Sequence, residues 1–240
     1  MPSSLLPIYV AHEMDATLGG IDLKRIAEAD DGHTYAVKRI VDHPALPLCE
    51  WVGYHLCRIV GVRTPDFAVL QYHDGTDPAF GSRMVIDPRE IEREPTNYQT
   101  LSFFNGHLST VAKVFPLDAF LANQDRHGGN FLLAPTSTGR SLLAIDFSRA
   151  WIRLGEPFGS TDVLPGSQTD RWWRFFKHCL KVQPDLAALQ RIAQLPDDWL
   201  EAVVSAAPDC WSRCIDLPGT YDYWRHHRTS DRIEFVKLWL

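Results

Sequence analysis

The sequence predicts an α+β fold: a small antiparallel sheet lobe carrying one helix, followed by a mainly helical lobe. Three observations predict it. Short β-like runs separated by turn signals fill residues 8 to 87, and one stretch at 48–60 interrupts them with helical spacing. Beyond residue 108 the apolar residues recur mostly at helical spacing, broken by a single hairpin pattern. At 240 residues, 45% hydrophobic and 22% charged, the chain is long enough for one large domain or two small lobes. The expected division is 1–87 and 88–240.

Each element follows from its residues. "KRIAEADDGHTYAVKRI" holds two strand runs joined by Asp30-Asp31-Gly32, a turn signal. In the second run Tyr35 and Val37 share one face, Ala36 and Lys38 the other. After Pro44 and Pro47, Leu48, Val52, Leu56, Ile59 and Val60 mark a helix, with Gly61 and Pro65 as its stop. "DFAVLQY" and "FGSRMVI" read as a second strand pair. Residues 88–107 read as a polar, irregular connector. Val111, Val114, Phe115, Ala119 and Phe120 then mark a buried helix, with Pro116 as a kink or a start. "NFLLA" and "SLLAIDF" form a hairpin about the turn "PTSTG", and three helices follow at "TDRWWRFFKHCLKV", "DLAALQRIAQL" and "DDWLEAVVSAA". In the last, Pro196 is the start signal and Asp197 and Asp198 fall in the first turn.

Bulk properties exclude several classes. A net charge of −6 without a basic block disfavours a nucleic-acid partner. The N-terminus lacks the pattern of a secretory signal, and no run approaches the ~20 apolar residues of a membrane span. Five cysteines without a CxxC pair suit a reducing cytoplasm. Cys210 and Cys214 lie one helical turn apart but lack a nearby paired histidine, which argues against a metal site. His226-His227 reads as an exposed pair. The late tryptophans, Trp172, Trp173, Trp199, Trp211, Trp224 and Trp239, read as aromatic core between helices.

The chemistry concentrates in "FLANQDRHGGNFLL". Asp125 and Asn130 stand five apart in a loop between helix and strand, and Asp146 ends the hairpin sixteen residues after Asn130. Closing the hairpin brings Asn130 and Asp146 together. Phosphoryl transfer needs such a set: one carboxylate for the proton of the attacking hydroxyl, and hard oxygen ligands for Mg²⁺ on the phosphates. The order D-x4-N, hairpin, D matches the protein-kinase catalytic loop and metal-binding Asp. Upstream, "YAVK" resembles the strand that delivers an ATP-contacting lysine, here Lys38, with Glu50 twelve residues on, in the first turn of the helix, as its partner. Gly19 and Gly20 offer bare backbone N–H groups to phosphate. Taken singly, each has a plainer reading: Asx caps in a polar turn for Asp125 and Asn130, an exposed strand lysine for Lys38, a dipole-stabilising carboxylate for Glu50. Arg126 and His127 position the loop, with His127 also a candidate for direct proton transfer.

"NQDRHGGNFLL" followed by "AIDFSRAW" resembles the active-site core of HipA-like kinases and, more remotely, of the phosphoinositide lipid kinases. The glycine turn, lysine strand and glutamate helix resemble that family too, and the likeness spans most of residues 15 to 212. It implies a two-lobed protein-kinase-like fold with ATP in the cleft. Asp125 would be the base, Asn130 and Asp146 the Mg²⁺ ligands and Lys38 the phosphate clamp. The strand ending near Met84, Val85 and Ile86 would bond the adenine. It further implies a Ser or Thr of a protein as acceptor. A small-molecule or lipid-headgroup kinase and a nucleotide-binding pseudokinase stay open as alternatives. The chain departs from the family pattern where Ile21 and Asp22 follow Gly20, since an acid there repels a triphosphate, and Ser148 stands where the protein-kinase metal motif has glycine. Ser148, Ser160, Thr161 and Ser167 are candidate autophosphorylation positions.

Overall fold

A computed structural model describes residues 7–16, 24–88, 98–150, 165–227 and 231–240. Five strands open the fold: β1 (Ile8–Asp15), β2 (Arg25–Ala29), β3 (Thr34–Lys38), β4 (Phe67–Gln71) and β5 (Ala79–Arg83), with α1 (Leu46–Val60) inserted before β4. The expected sheet is purely antiparallel, and the structure corrects this. The order β1-β2-β3-β5-β4 closes on itself through a short parallel pairing of Ile8 with Leu70 and Tyr9 with Gln71. Closure removes both free edges. It depends on β1, a segment whose mixed polar pattern gives no clean alternation.

The closed sheet has a small interior of its own, made by Val10, Ala27, Ala29, Tyr35, Val37, Leu70 and Ala79. Gly81 shows how tight it is: a Cβ there would lie 2.6 Å from Leu70 Cδ1 and 3.0 Å from Tyr35. On the opposite face of β5, Phe80 stacks edge-on against Tyr54 of α1. Helix α1 starts at Leu46 with Pro47 in its first turn, where a missing N–H costs nothing. It ends at Gly61, whose φ of 72° permits the Val62 N–H to reach back to the Cys57 carbonyl at 2.8 Å.

The rest comprises α2 (Tyr98–Phe104), α3 (Leu108–Phe120), the hairpin β6 (Phe131–Thr136) and β7 (Gly139–Ala144), then α4 (Gln168–Cys179), α5 (Leu186–Ala193), α6 (Trp199–Ser205), α7 (Leu217–His227) and α8 (Asp231–Trp239). Part of the expected connector is helix α2, because Phe104 is fully buried against Phe131, Trp172 and Phe176. Tertiary burial thus overrides a segment with little helical pattern. Pro116 sits inside α3 rather than at its start. Asp198 is the N-cap of α6 and Asp197 precedes it, so neither lies in the first turn where the sequence predicts them. The turn of the hairpin contracts to Ser137 and Thr138, with Thr136 paired to Gly139.

The larger core joins α1 to these helices, and Trp51, Trp172, Trp173, Trp211 and Trp224 are buried in it. Trp199 and Trp239 pack against it. Long-range bonds fasten α1, among them Trp51 Nε1 to the Val203 carbonyl at 2.9 Å, Arg191 Nη2 to the Val60 carbonyl at 2.8 Å, and the Phe147 N–H to Glu50. Trp211 Nε1 donates to the Pro78 carbonyl just before β5. All five cysteines are free, and Cys210 is buried while Cys214 is exposed. His226 is exposed, as expected, and faces Asp222 at 3.4 Å. Among the described residues no helix is long and apolar enough to cross a membrane.

Candidate active site

Strand alternation places Val37 inside the closed sheet and turns Lys38 the other way, toward α1. Lys38 is only 6% exposed. Its Nζ lies 3.7 Å from Glu50 Oε1 and 3.8 Å from Asp146 Oδ1. The plain reading of an exposed strand lysine therefore fails. So does the dipole reading of Glu50. Because α1 begins two residues before its apolar series, Glu50 falls in the second turn rather than the first. Its second oxygen accepts the Phe147 N–H at 3.0 Å.

Two carboxylates share one ammonium here, and their environments separate them. Burial pushes Glu50 up to about 8; Lys38 pulls down against it and the neighbouring Asp146 adds to the rise. Burial also opposes ionisation of Asp146, yet Lys38 and Ser148 together hold it well below the usual carboxylate range. Its side chain is 30% exposed, so water screens part of that attraction. The two shifts run in opposite directions, so the cluster favours the anion on Asp146 and disfavours it on Glu50.

The polar loop supplies the facing wall. The Asn130 side-chain amide donates to the Asp125 carbonyl at 2.8 Å, which ties the ends of the D-x4-N segment. The Ile145 N–H donates to the Asn130 carbonyl at 3.0 Å, so closing the hairpin brings the Asn130 and Asp146 segments together as the spacing predicts. Asp146 itself has φ 62°, left-handed for a residue other than glycine, at the point where the chain leaves the hairpin. Ser148 secures its carboxylate with both N–H (3.2 Å) and hydroxyl (2.5 Å). Ser148 is fully buried, so its hydroxyl is not an accessible phosphorylation position.

The other expected residues divide. Asp125 is half-buried, and His127 is half-buried at the start of a 3-10 turn over Gly128–Asn130. Strand β5 stops at Arg83, short of Met84, Val85 and Ile86, and the Met84 N–H is already bonded to the Thr34 carbonyl at 2.8 Å. Ile86 is 84% exposed. The expectation of a strand running to that segment is corrected. Gly19, Gly20, Ile21, Asp22, Ser160 and Thr161 lie outside the described residues. Two cavities of about 410 and 400 Å³ lie elsewhere, one between the α1–β4 loop and the hairpin, the other beside β1. Neither includes Lys38, Asn130 or Asp146.

Among the described residues no three His, Cys, Asp or Glu side chains gather as a metal cage. The donor chemistry here is different and fits Mg²⁺, a hard cation that takes one or two protein oxygens and completes its shell from phosphate and water. Asp146 could serve as the charged oxygen ligand. Asn130, with its side-chain nitrogen held by the Asp125 carbonyl, keeps its amide oxygen for the role of a second ligand.

Three solved structures bear on the fold. The Helicobacter pylori proinflammatory kinase CtkA matches with a TM-score of 0.56 at 13% identity, over 93% of this chain and 94% of that one. The fold is kinase-like. Hydra Fam20, solved with sugar, matches with a TM-score of 0.55 at 11% identity, over 97% of this chain and 83% of that one. A chain of the Shewanella oneidensis complex of HipA, HipB and operator DNA reaches 0.49 at 15% identity, over 85% and 58%. No family model and no curated protein matches the sequence.

Two polar residues behind the site escape a motif search. Asp118 is fully buried in α3 and receives Arg126. Thr169, in the first turn of α4, accepts the Arg126 N–H at 3.0 Å and donates to the Asn123 carbonyl. Asp118 has a legible signal: it is an acid within the helix marked by Val114, Phe115, Ala119 and Phe120. Thr169 has none, since only the folded chain brings it to the loop.

Proposed function

We propose that this chain is an ATP- and Mg²⁺-dependent phosphotransferase of HipA-like type, acting on a serine or threonine hydroxyl of a protein. The observation that carries the reading is the position of Lys38 Nζ between Glu50 and Asp146, beside the segment bearing Asn130. A lysine this buried keeps its charge only with acidic partners beside it, and Glu50 and Asp146 are placed to serve it. The reading places residues 1–87 as a nucleotide-binding lobe against a catalytic lobe of 88–240, with ATP between them. The resemblance to HipA-like kinases, and the free cysteines, support a cytoplasmic protein kinase.

In this reading Lys38 binds the α- and β-phosphates, and Glu50 keeps its ammonium aimed. Asn130 and Asp146 would hold Mg²⁺, which when bound would neutralise charge on the phosphates. Asp125 accepts the proton of the attacking hydroxyl as its oxygen forms a bond to the γ-phosphorus. The bond to the β–γ bridging oxygen breaks, and ADP leaves. Catalysis is positioning and charge stabilisation.

Incubation of the chain with labelled ATP, Mg²⁺ and a cell lysate tests this, with Asp125→Asn as control. Label on a protein band, lost in the variant, is the expected result. Label confined to small molecules would move the acceptor to that class, and nucleotide binding without any transfer would overturn the reading in favour of a pseudokinase.

A further inference from the structure

We infer that Asp118 and Arg126 form a buried clamp that sets the spacing of the metal-binding segments, and that Asp118 is a positioning residue for metal affinity. This rests on the phosphotransferase reading above. Both side chains are fully buried. Arg126 gives Nε to Asp118 Oδ2 at 2.7 Å and Nη2 to Asp118 Oδ1 at 3.0 Å, a two-pronged pair. Its remaining nitrogen, Nη1, bridges two backbone carbonyls, Asn130 at 3.1 Å and Ile145 at 2.5 Å. One of those belongs to a proposed metal ligand, and the other immediately precedes the second. The guanidinium plane is boxed by Phe131 and Phe147, with its carbon 5.4 and 4.6 Å from the ring centres.

The arrangement is more than a satisfied ion pair. A planar guanidinium has donors in a rigid fork, so fixing two of them on Asp118 fixes where the third points. Asp118 is itself held, by the Asn123 side-chain amide at 2.8 Å, and Asn123 Oδ1 receives the Asp125 N–H at 3.3 Å. Helix α3, the Asp125 loop and the hairpin exit are therefore registered on one carboxylate. Asp118 touches neither Asn130 nor Asp146 side chains in any hydrogen bond, so it acts through Arg126.

Asp118→Asn tests the clamp, because asparagine keeps the shape but loses one acceptor and the charge. The readout is the gain in melting temperature produced by ADP as free Mg²⁺ is raised. The half-maximal Mg²⁺ concentration should rise about tenfold or more in Asp118→Asn. The gain at saturating Mg²⁺ should return to near the wild-type value. Leu200→Ala, fully buried in α6, is the comparator: it should lower the melting temperature without moving the Mg²⁺ midpoint. If Asp118→Asn does not fold, Arg126→Lys carries the same test, since one ammonium cannot serve a carboxylate and two carbonyls together. A folded Asp118→Asn or Arg126→Lys chain with the wild-type midpoint would overturn the clamp alone. A wild-type chain with no Mg²⁺-dependent ADP response would instead overturn the phosphotransferase reading, and the clamp would fall with it.

Discussion

Phe147 occupies the space that a side chain on Gly53 would need: a Cβ on that glycine would lie 2.5 Å from both Cβ and Cγ of Phe147. The contact seats the residue after Asp146 on the bare backbone of α1, three residues along from Glu50. Glu50 receives the N–H of the same phenylalanine. Helix α1 and the segment that follows Asp146 are thereby interlocked by one absent side chain and one hydrogen bond.

Gly53→Ala should therefore act on the site as well as on stability. The near end of the ring cannot rotate away, so the backbone at Phe147 must move. Overpacking of this kind costs about 1–3 kcal/mol. Urea denaturation should show that loss, and the Mg²⁺-dependent ADP shift should weaken in the same variant. A Gly53→Ala chain with wild-type stability and wild-type nucleotide response would contradict the interlock.

Asp125 and Asp146 should separate in their effects. Asp125→Asn removes the proposed base and keeps the loop geometry, so transfer should fall by about 10²–10⁴-fold while ATP binding stays close to wild type. Asp146→Asn removes the anion that Lys38 and Ser148 stabilise and should weaken Mg-ATP binding as well. Single-turnover transfer and calorimetric binding measure the two separately. Normal transfer by both variants would sink the role assignment.

Glu50 should leave a mark on the pH dependence of stability. Its folded value is raised from 4.5 to about 8, so the folded state holds a proton that the unfolded state has released. Stability is fully present below the unfolded value and is lost as pH rises toward 8, by at most about 1.4 kcal/mol per pH unit. His55 is lowered to about 4 by burial, with Arg58 adding, so its own contribution is lost only as pH falls below its unfolded value of 6.5. The interval from 6.5 to 8 isolates Glu50. In Glu50→Gln the decline across that interval, followed by urea denaturation at several pH values, should be shallower than in wild type. Equal slopes in the two chains would show that Glu50 is ionised throughout.

Local periodicity made the ordinary elements legible. The Asp30-Asp31-Gly32 hairpin, the helix ended by Gly61 and the strands about Ser137-Thr138 are all contained in short windows. There backbone sterics and alternation decide the outcome. Helix α2 was not legible, because what makes it a helix is Phe104 meeting Trp172 and Phe176 from distant segments.

The candidate site follows the same division. Residue type and spacing alone determined the chemical set, with Asp125, Asn130, Asp146, Lys38 and Glu50 each of the kind that phosphate transfer uses. Hairpin closure alone determined that the Asn130 segment and the segment entering Asp146 lie side by side. Only the tertiary structure decided that Glu50 faces inward from the second turn, that β5 ends before Met84, that Ser148 is sealed, and that Asp118 stands behind the loop holding Arg126. Spacing reports what neighbours along the chain can do. The opposed shifts of Asp146 and Glu50 and the aim of Arg126 depend instead on burial and on charges brought from segments far apart in sequence, and these exist only once the chain has folded.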